Sequence, residues 1–538
     1  MANDTSTNIL KNTGLISLCT LVSRVTGLLR TWAMAFALGN TLFTSAYQIA
    51  NNLPNMVFEL CASGVLGTAV FVPLYLLQKD KHGQEAAERF TNNMLTLTTI
   101  FLGVLSLVCA VAAPLIIQTQ TFTVGAGETQ DLAIFFFRIF AIQILFYGLS
   151  ALVMGVLNAE REFLAPSLVP ILNNLIVIIT MFGFVPLSAW DTTASMWWLG
   201  IGTTLGVFVQ LAGQVPALIK HGFKFKPVVD LRDPMLVEAF KMAAPMFLYV
   251  AGTMITISCR NAFALDAASN GPSTLSYARM WWQLPYGVIA VSISSTMLTE
   301  MADCAANEDW RGFKDFVSKG LRSTLFLMLP LAAMVGALAI PLIQLFQAGS
   351  FTADDVAFVS EVLAAWTISL PFYAGYMYFY KVFAAMRKFT LFACVDICMR
   401  LVQALLYSWL CKPENFGVVG IPLGDIFFYG SMFLICSLIV YRRVGSFGFG
   451  KVVALVVKGG IASLIAAAVV YFLSGLAMEW FALVSLPIPA IASAFVTVCV
   501  CGILGLVVAF GLCKFMKVRE YEMLAGLVKR LFGKLKRV

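Results

Sequence analysis

Apolar residues run through this chain in long blocks broken by short polar stretches. Neither a two-residue alternation nor a narrow amphipathic stripe dominates. Blocks of about 20 or more apolar residues are long enough to cross a bilayer as helices. Fourteen are readable: about 13–38, 44–78, 90–117, 132–157, 164–187, 195–219, 237–265, 275–300, 321–346, 356–382, 389–411, 418–441, 452–475 and 484–513. The pattern predicts an all-α polytopic membrane protein with fourteen transmembrane helices. Residues 1–12 are polar and lack a signal-peptide pattern, so the first block is expected to stay as a membrane helix.

The loops alternate in charge. One set is basic, including Lys79, Lys81 and Arg89, then Arg161, then Lys220, Lys224 and Lys226, then Arg311, Lys314, Lys319 and Arg322. The other set is nearly free of Lys and Arg, with Lys412 the exception. By the positive-inside rule both termini are expected on the cytoplasmic side, with the chain multi-pass in its membrane. Asp233-Pro234 reads as an N-cap with a first-turn proline, so a helix should start there, and Pro245 should bend it. In the tail, Leu524, Leu527, Leu531 and Leu535 form one stripe flanked by Lys529, Arg530, Lys534, Lys536 and Arg537. This predicts an amphipathic helix on anionic membrane lipids, or a partner-binding helix.

The chain also resembles itself. Ala113-Pro114-Leu115-Ile116 recurs as Ile340-Pro341-Leu342-Ile343, Phe146-Tyr147 as Phe372-Tyr373, and Arg161-Glu162-Phe163 as Arg387-Lys388-Phe389. Leu53-Pro54 has a counterpart in Leu284-Pro285. Two parallel six-helix repeats follow, since an even number of spans returns each copy to the same side. The expected parts are residues 1–228 and 229–445 as six-helix lobes, 446–513 as two additional helices, and 514–538 as a basic tail.

Composition agrees. Of 538 residues, 60% are hydrophobic and 12% charged, against about 25% charged in soluble domains. The net charge of +8 lies in loops and tail, where topology explains it, so nucleic acid is not an expected partner. The twelve cysteines are scattered through apolar segments and read as small buried hydrophobes. The two histidines, His82 and His221, lie in loops, and no Walker loop, GxSxG elbow or HExxH occurs. An enzyme is not expected, nor a cofactor. Transport would draw on a coupling ion (Na+ or H+), the membrane potential or the substrate's own gradient.

Charges at membrane depth are costly and are placed with a purpose. Arg24, Arg30 and Glu59 lie in the first two spans, and Arg260 and Arg279 in the seventh and eighth. Four arginines against one glutamate favour an anionic ligand, because guanidinium grips phosphate in bidentate fashion. Arg24 and Arg30 lie about 120° apart on an ideal helix, and Glu59 is the candidate partner of Arg30, with the anionic group of the substrate as the alternative. Asp396 and Arg400, spaced i,i+4, read as a salt bridge; Asp396 and Asp425 are the alternative candidates for a cation site. No metal site is otherwise expected.

Ser23-Arg24-Val25-Thr26-Gly27-Leu28-Leu29-Arg30 resembles the SRxxGxxRD opening of the MurJ/MviN lipid II flippases. Leu53-Pro54-Asn55, Gly64 and Phe71-Val72-Pro73 resemble that family's second helix, and Tyr277-Ala278-Arg279 through Leu284-Pro285-Tyr286-Gly287-Val288 its eighth. The resemblance implies a flippase of the multidrug/oligosaccharidyl-lipid/polysaccharide exporter superfamily. Such a protein moves undecaprenyl-diphosphate-linked peptidoglycan precursor between leaflets by alternating access. It implies that Arg24 and Arg30 line a central cavity and meet the diphosphate, and that the last two spans form a lipid-tail groove. With the other intramembrane charges, the candidate substrate site is Arg24, Arg30, Arg260, Arg279, Glu59, Ser23 and Asn55, and cell-wall synthesis proteins are candidate partners. The chain departs from the family pattern at Thr31, Phe58, Glu59 and Met280. The alternatives are a flippase for another polyprenyl-diphosphate oligosaccharide, a drug exporter of the superfamily, or a non-transporting scaffold for cell-wall assembly.

Overall fold

The computed structural model describes residues 2–483 and 490–522. Among them the regular structure is helical, with no strand. Contacts divide the chain into two compact units, Met1–Ser273 and Thr274–Val538. The first holds α1 (Ala2–Leu38), α2 (Leu42–Phe58), α3 (Thr68–His82), α4 (Gln84–Val111), α5 (Glu128–Phe140), α6 (Gln143–Ala159), α7 (Leu164–Trp190), α8 (Thr192–Ala212) and α9 (Pro234–Ala267). Helix α10 (Gly271–Pro285) begins at the boundary. The second unit continues with α11 (Val291–Ala306), α12 (Trp310–Ala337), α13 (Ala353–Thr367), α14 (Leu370–Ala385), α15 (Phe389–Leu410), α16 (Gly420–Val444), α17 (Phe449–Leu483) and α18 (Ala490–Phe515).

Nine helices among the described residues are long and apolar enough to cross a membrane, or twelve spans if each of three bent pairs counts as one. These twelve match expected spans three to fourteen. The other two expected spans fall on α1 and on the α2–α3 run. That run is broken by a π-helical turn at Glu59–Ser63 and by extended backbone at Gly67, leaving pieces of 17 and 15 residues. The amphipathic stripe expected at 524–535 and the start of the last expected span, 484–489, lie outside the described residues.

The repeat recurs element by element. Helices α4 and α12 each run 28 residues. Each is followed by a six-residue helix, Ala113–Gln118 or Ala339–Gln344. Next comes a bent pair: α5 and α6 meet at 43°, α13 and α14 at 51°. Both second members end the same way. Arg161 (φ 62°) and Arg387 (φ 53°) turn into the left-handed region. The next amide then returns to a carbonyl of the last turn, Glu162 to Leu157 at 2.8 Å and Lys388 to Phe383 at 2.9 Å. This is the helix stop usually built on glycine. The counterpart of the Glu59–Ser63 π turn is Tyr286–Ala290, and each follows a proline, Pro54 or Pro285.

Helix α9 starts as expected, with Asp233 Oδ1 accepting from the Met235 amide at 2.9 Å and Pro234 in the first turn. It bends by 54° between Lys241 and Met246. It belongs to the first compact unit, packing beside Gly64–Leu66 and α3. Aromatic rings fill both interiors. Tyr47 meets Phe136 and Phe140 edge-on in the first unit; Trp282, Trp366 and Tyr373 cluster in the second.

Candidate functional site

Helix α1 carries Ser23, Arg24 and Arg30, and α7 anchors it. Asn174 Nδ2 donates to the Ser23 carbonyl at 3.3 Å and to Thr26 Oγ1 at 3.1 Å. Thr26 is buried against α7, while Arg24, two residues earlier and about 200° around the helix, is exposed. Arg30 follows Thr26 by four residues and so lies within about 40° of that buried side. It is half-buried, and its charge reaches the Tyr47 and Tyr147 hydroxyls. The two arginines therefore address different surroundings, as their spacing requires.

Asn55 and Glu59 are brought together on α2, with Asn55 Nδ2 donating to Glu59 Oε1 at 2.8 Å. The expected Glu59–Arg30 ion pair does not form; Arg30 makes none among the described residues. Asn55 lies one turn before Glu59 and donates to one of its two carboxylate oxygens. Arg260 is buried on α9, which the contacts group with the first compact unit. Its neighbour Asn261 donates to Gln120 Oε1 at 3.0 Å. Arg279 is exposed on α10, in the second unit.

The two carboxylates of the second unit are held by protein donors. Arg400 Nε donates to Asp396 Oδ2 at 2.6 Å and Tyr376 Oη to Oδ1 at 2.7 Å. Asp425 accepts from Trp366 Nε1 and Gln403 Nε2, both at 2.7 Å, and from the Tyr407 hydroxyl. No group of three or more metal-ligating side chains occurs among the described residues.

An apolar groove of about 980 Å³ runs along the second unit. Helices α12, α14, α16 and α17 line it, with the end of α13. The lipid-tail groove was expected from the last two helices; in this groove α17 contributes and α18 does not. Sequence reasoning missed the roles of α12 and α16, whose groove-facing residues look like any other apolar stripe. It also missed Asn174, although an Asn173-Asn174 pair inside an apolar block was a signal that could have been read.

The model of the family described as "Lipid II flippase MurJ" matches residues 34–491, most of the chain. The chain belongs to the MurJ family. The match begins just after Arg30, so the α1 arginines lie outside it. A MurJ relative from Burkholderia cenocepacia, named lipid II flippase, is 28% identical over 357 residues, 65% of this chain and 68% of the relative. A probable lipid II flippase MurJ from Synechocystis is 28% identical over 428 residues, 77% of this chain and 78% of that protein. A solved structure of lipid II flippase MurJ in an inward closed conformation superposes with a TM-score of 0.73. It covers 93% of this chain and 99% of its own at 23% identity, which shows that this chain has the MurJ fold. The chain is thus a multi-pass membrane transporter of the MurJ type and not an enzyme.

Proposed function

We propose that the protein flips lipid II, the undecaprenyl-diphosphate-linked peptidoglycan precursor, from the inner to the outer leaflet by alternating access. Membership of the MurJ family over residues 34–491 carries this reading. The placement of charge supports it. Arg24 is presented on the open side of α1, where a guanidinium can grip a diphosphate. Arg30 is half-buried on the same helix, and Ser23, Asn55, Glu59 and Arg260 of the first unit are further members of the proposed headgroup site. The groove of α12, α14, α16 and α17 would keep the lipid tail in an apolar setting. The loop charges support a cytoplasmic placement of both termini, and an ion gradient or the membrane potential would drive the cycle.

The test is reconstitution into vesicles with lipid II in the lumenal or outer leaflet assayed by an impermeant probe. Arg24→Ala should slow translocation at least about tenfold, the loss of one charge-assisted contact, with insertion unchanged. Wild-type rates in that variant would remove the α1 arginine from the mechanism. Transport of a different polyprenyl-diphosphate oligosaccharide in place of lipid II would reassign the substrate.

A further inference from the structure

A second pocket, about 880 Å³, sits where α12 and α17 both begin. Six cations line it: Arg311, Lys314, Lys319 and Arg322 from α12, Lys451 from α17, and Arg519 beyond α18. Among the described lining residues Asp315 and Glu520 oppose them; buried Glu520 and Arg322 answer each other in an ion pair, which leaves five cations against Asp315. The turn Gly445–Gly448 closes one side. Both of its glycines hold positive φ (89° and 79°), which lets the backbone double back beside Lys314 and Ser318. Like charges gathered in one concavity focus a positive potential that draws anions to it, and two helix N-termini add to the positive field.

The basic pocket and the apolar groove share two helix faces. On α12 the stripe Lys314, Ser318, Arg322 continues at helical spacing as Leu325, Leu329 and Ala332. Gly448, just before α17, and Lys451 in its first turn lead into Val452, Val456, Gly460 and Ser463. A charged head site thus opens directly onto a tail site. Length identifies the tail. The groove follows α17 from Val452 to Tyr471, a rise of about 28 Å. One leaflet of the hydrocarbon core is about 15 Å deep and the whole core about 30 Å. A phospholipid chain fills half of such a groove, and a polyprenyl chain can fill all of it.

We propose that this pocket is a loading site that holds the diphosphate of a polyprenyl-diphosphate lipid while its chain lies in the groove, separate from the α1 arginines. The proposal rests on the flippase reading above and adds to it a first stop for the substrate. In translocation it would act before the headgroup reaches Arg24.

The test uses the full chain in phosphatidylcholine nanodiscs, titrated with undecaprenyl diphosphate, phosphatidylglycerol and inorganic diphosphate, with bound copies counted by native mass spectrometry. Lys314→Glu with Lys451→Glu should weaken one bound copy of undecaprenyl diphosphate by about tenfold or more. The milder Lys314→Gln/Lys451→Gln pair should weaken it less, and serves if the reversal does not fold. A Cβ at Gly460 meets nothing within 4 Å, so Gly460→Trp should fill the groove and weaken the lipid but not inorganic diphosphate. Arg24→Ala should keep this copy. Three results would overturn the proposal: unchanged affinity in the Lys pairs, phosphatidylglycerol competing as an equal, or loss of every bound copy in Arg24→Ala. Normal flipping by Arg24→Ala would instead count against the flippase site, whatever the lysine pairs do.

Discussion

Arg400 Nε donates to Asp396 Oδ2 at 2.6 Å, one helical turn apart on α15, and both side chains are buried. The guanidinium also stacks 4.9 Å from the Phe428 ring centre. A buried pair survives because each charge answers the other; removing one leaves the second stranded. Arg400→Ala should therefore destabilise the second unit by about 3–5 kcal/mol, while Asp396→Leu/Arg400→Met together should cost far less. Thermal unfolding of wild type, Asp396→Leu, Arg400→Met and the double variant in one detergent gives the coupling. Equal costs for single and double changes would mean the pair is not a structural unit.

Asp425 gathers the Trp366, Gln403 and Tyr407 donors at one carboxylate. Asp425→Ala strands these donors and should cost about 3 kcal/mol or more; Asp425→Asn keeps an acceptor oxygen and should cost less. The measurement is again the unfolding midpoint. An alanine variant as stable as wild type would contradict a structural role for this cluster.

Asn174 ties α1 to α7 through Ser23 and Thr26. Asn174→Leu should cost about 1 kcal/mol in stability. It should also slow flipping by releasing the helix that carries Arg24 and Arg30. The informative readout is transport by variants that insert normally: wild-type rates would show that α1 needs no such anchor.

Arg387 holds φ 53° at the end of α14. A non-glycine residue there pays about 1–2 kcal/mol, so Arg387→Gly should stabilise by up to about 1 kcal/mol after the entropy of the freer unfolded chain is set against it. Arg387→Val should destabilise, because a β-branched side chain suffers most at positive φ. The same order is expected at Arg161.

Glu160 closes the first copy of this turn. Burial pushes its carboxyl up, but hydrogen bonds from Lys79 at 2.7 Å and Tyr75 at 2.6 Å, with the Lys79 charge, outweigh burial and hold it below the usual carboxylate range. A depressed value means the contribution is complete at neutral pH and is lost as pH falls through the folded-state value. Comparing wild type with Lys79→Met, the difference should be about 1 kcal/mol at pH 7 and shrink below about pH 4. A difference that grows on acidification would reverse the assignment.

Much of the fold was legible beforehand because a bilayer demands long apolar helices with every backbone group satisfied internally. The spans from α4 onward follow from run length, and the Arg161/Arg387 correspondence marked an internal repeat; that both sites are left-handed helix stops came from the structure. The Asp396–Arg400 pair was readable because four residues make one turn. The π turns after Pro54 and Pro285 were not readable: a proline marks where the ladder is interrupted, but neighbouring helices decide how the chain repairs it.

The candidate site divides along the same line. Residue order alone placed Arg24 and Arg30 on one membrane helix and separated them by about 120°, because helical geometry is local. Which of them is exposed and which stands among Tyr47 and Tyr147 depended on where α7 packs, through Asn174. That Glu59 answers Asn55 was within reach of i,i+4 spacing; that Arg260 is buried in the first unit was not. The groove and the basic pocket lay furthest from the sequence. They join residues from helices far apart in the chain, and only packing of α12 beside α17 turns two ordinary stripes into one head-and-tail surface.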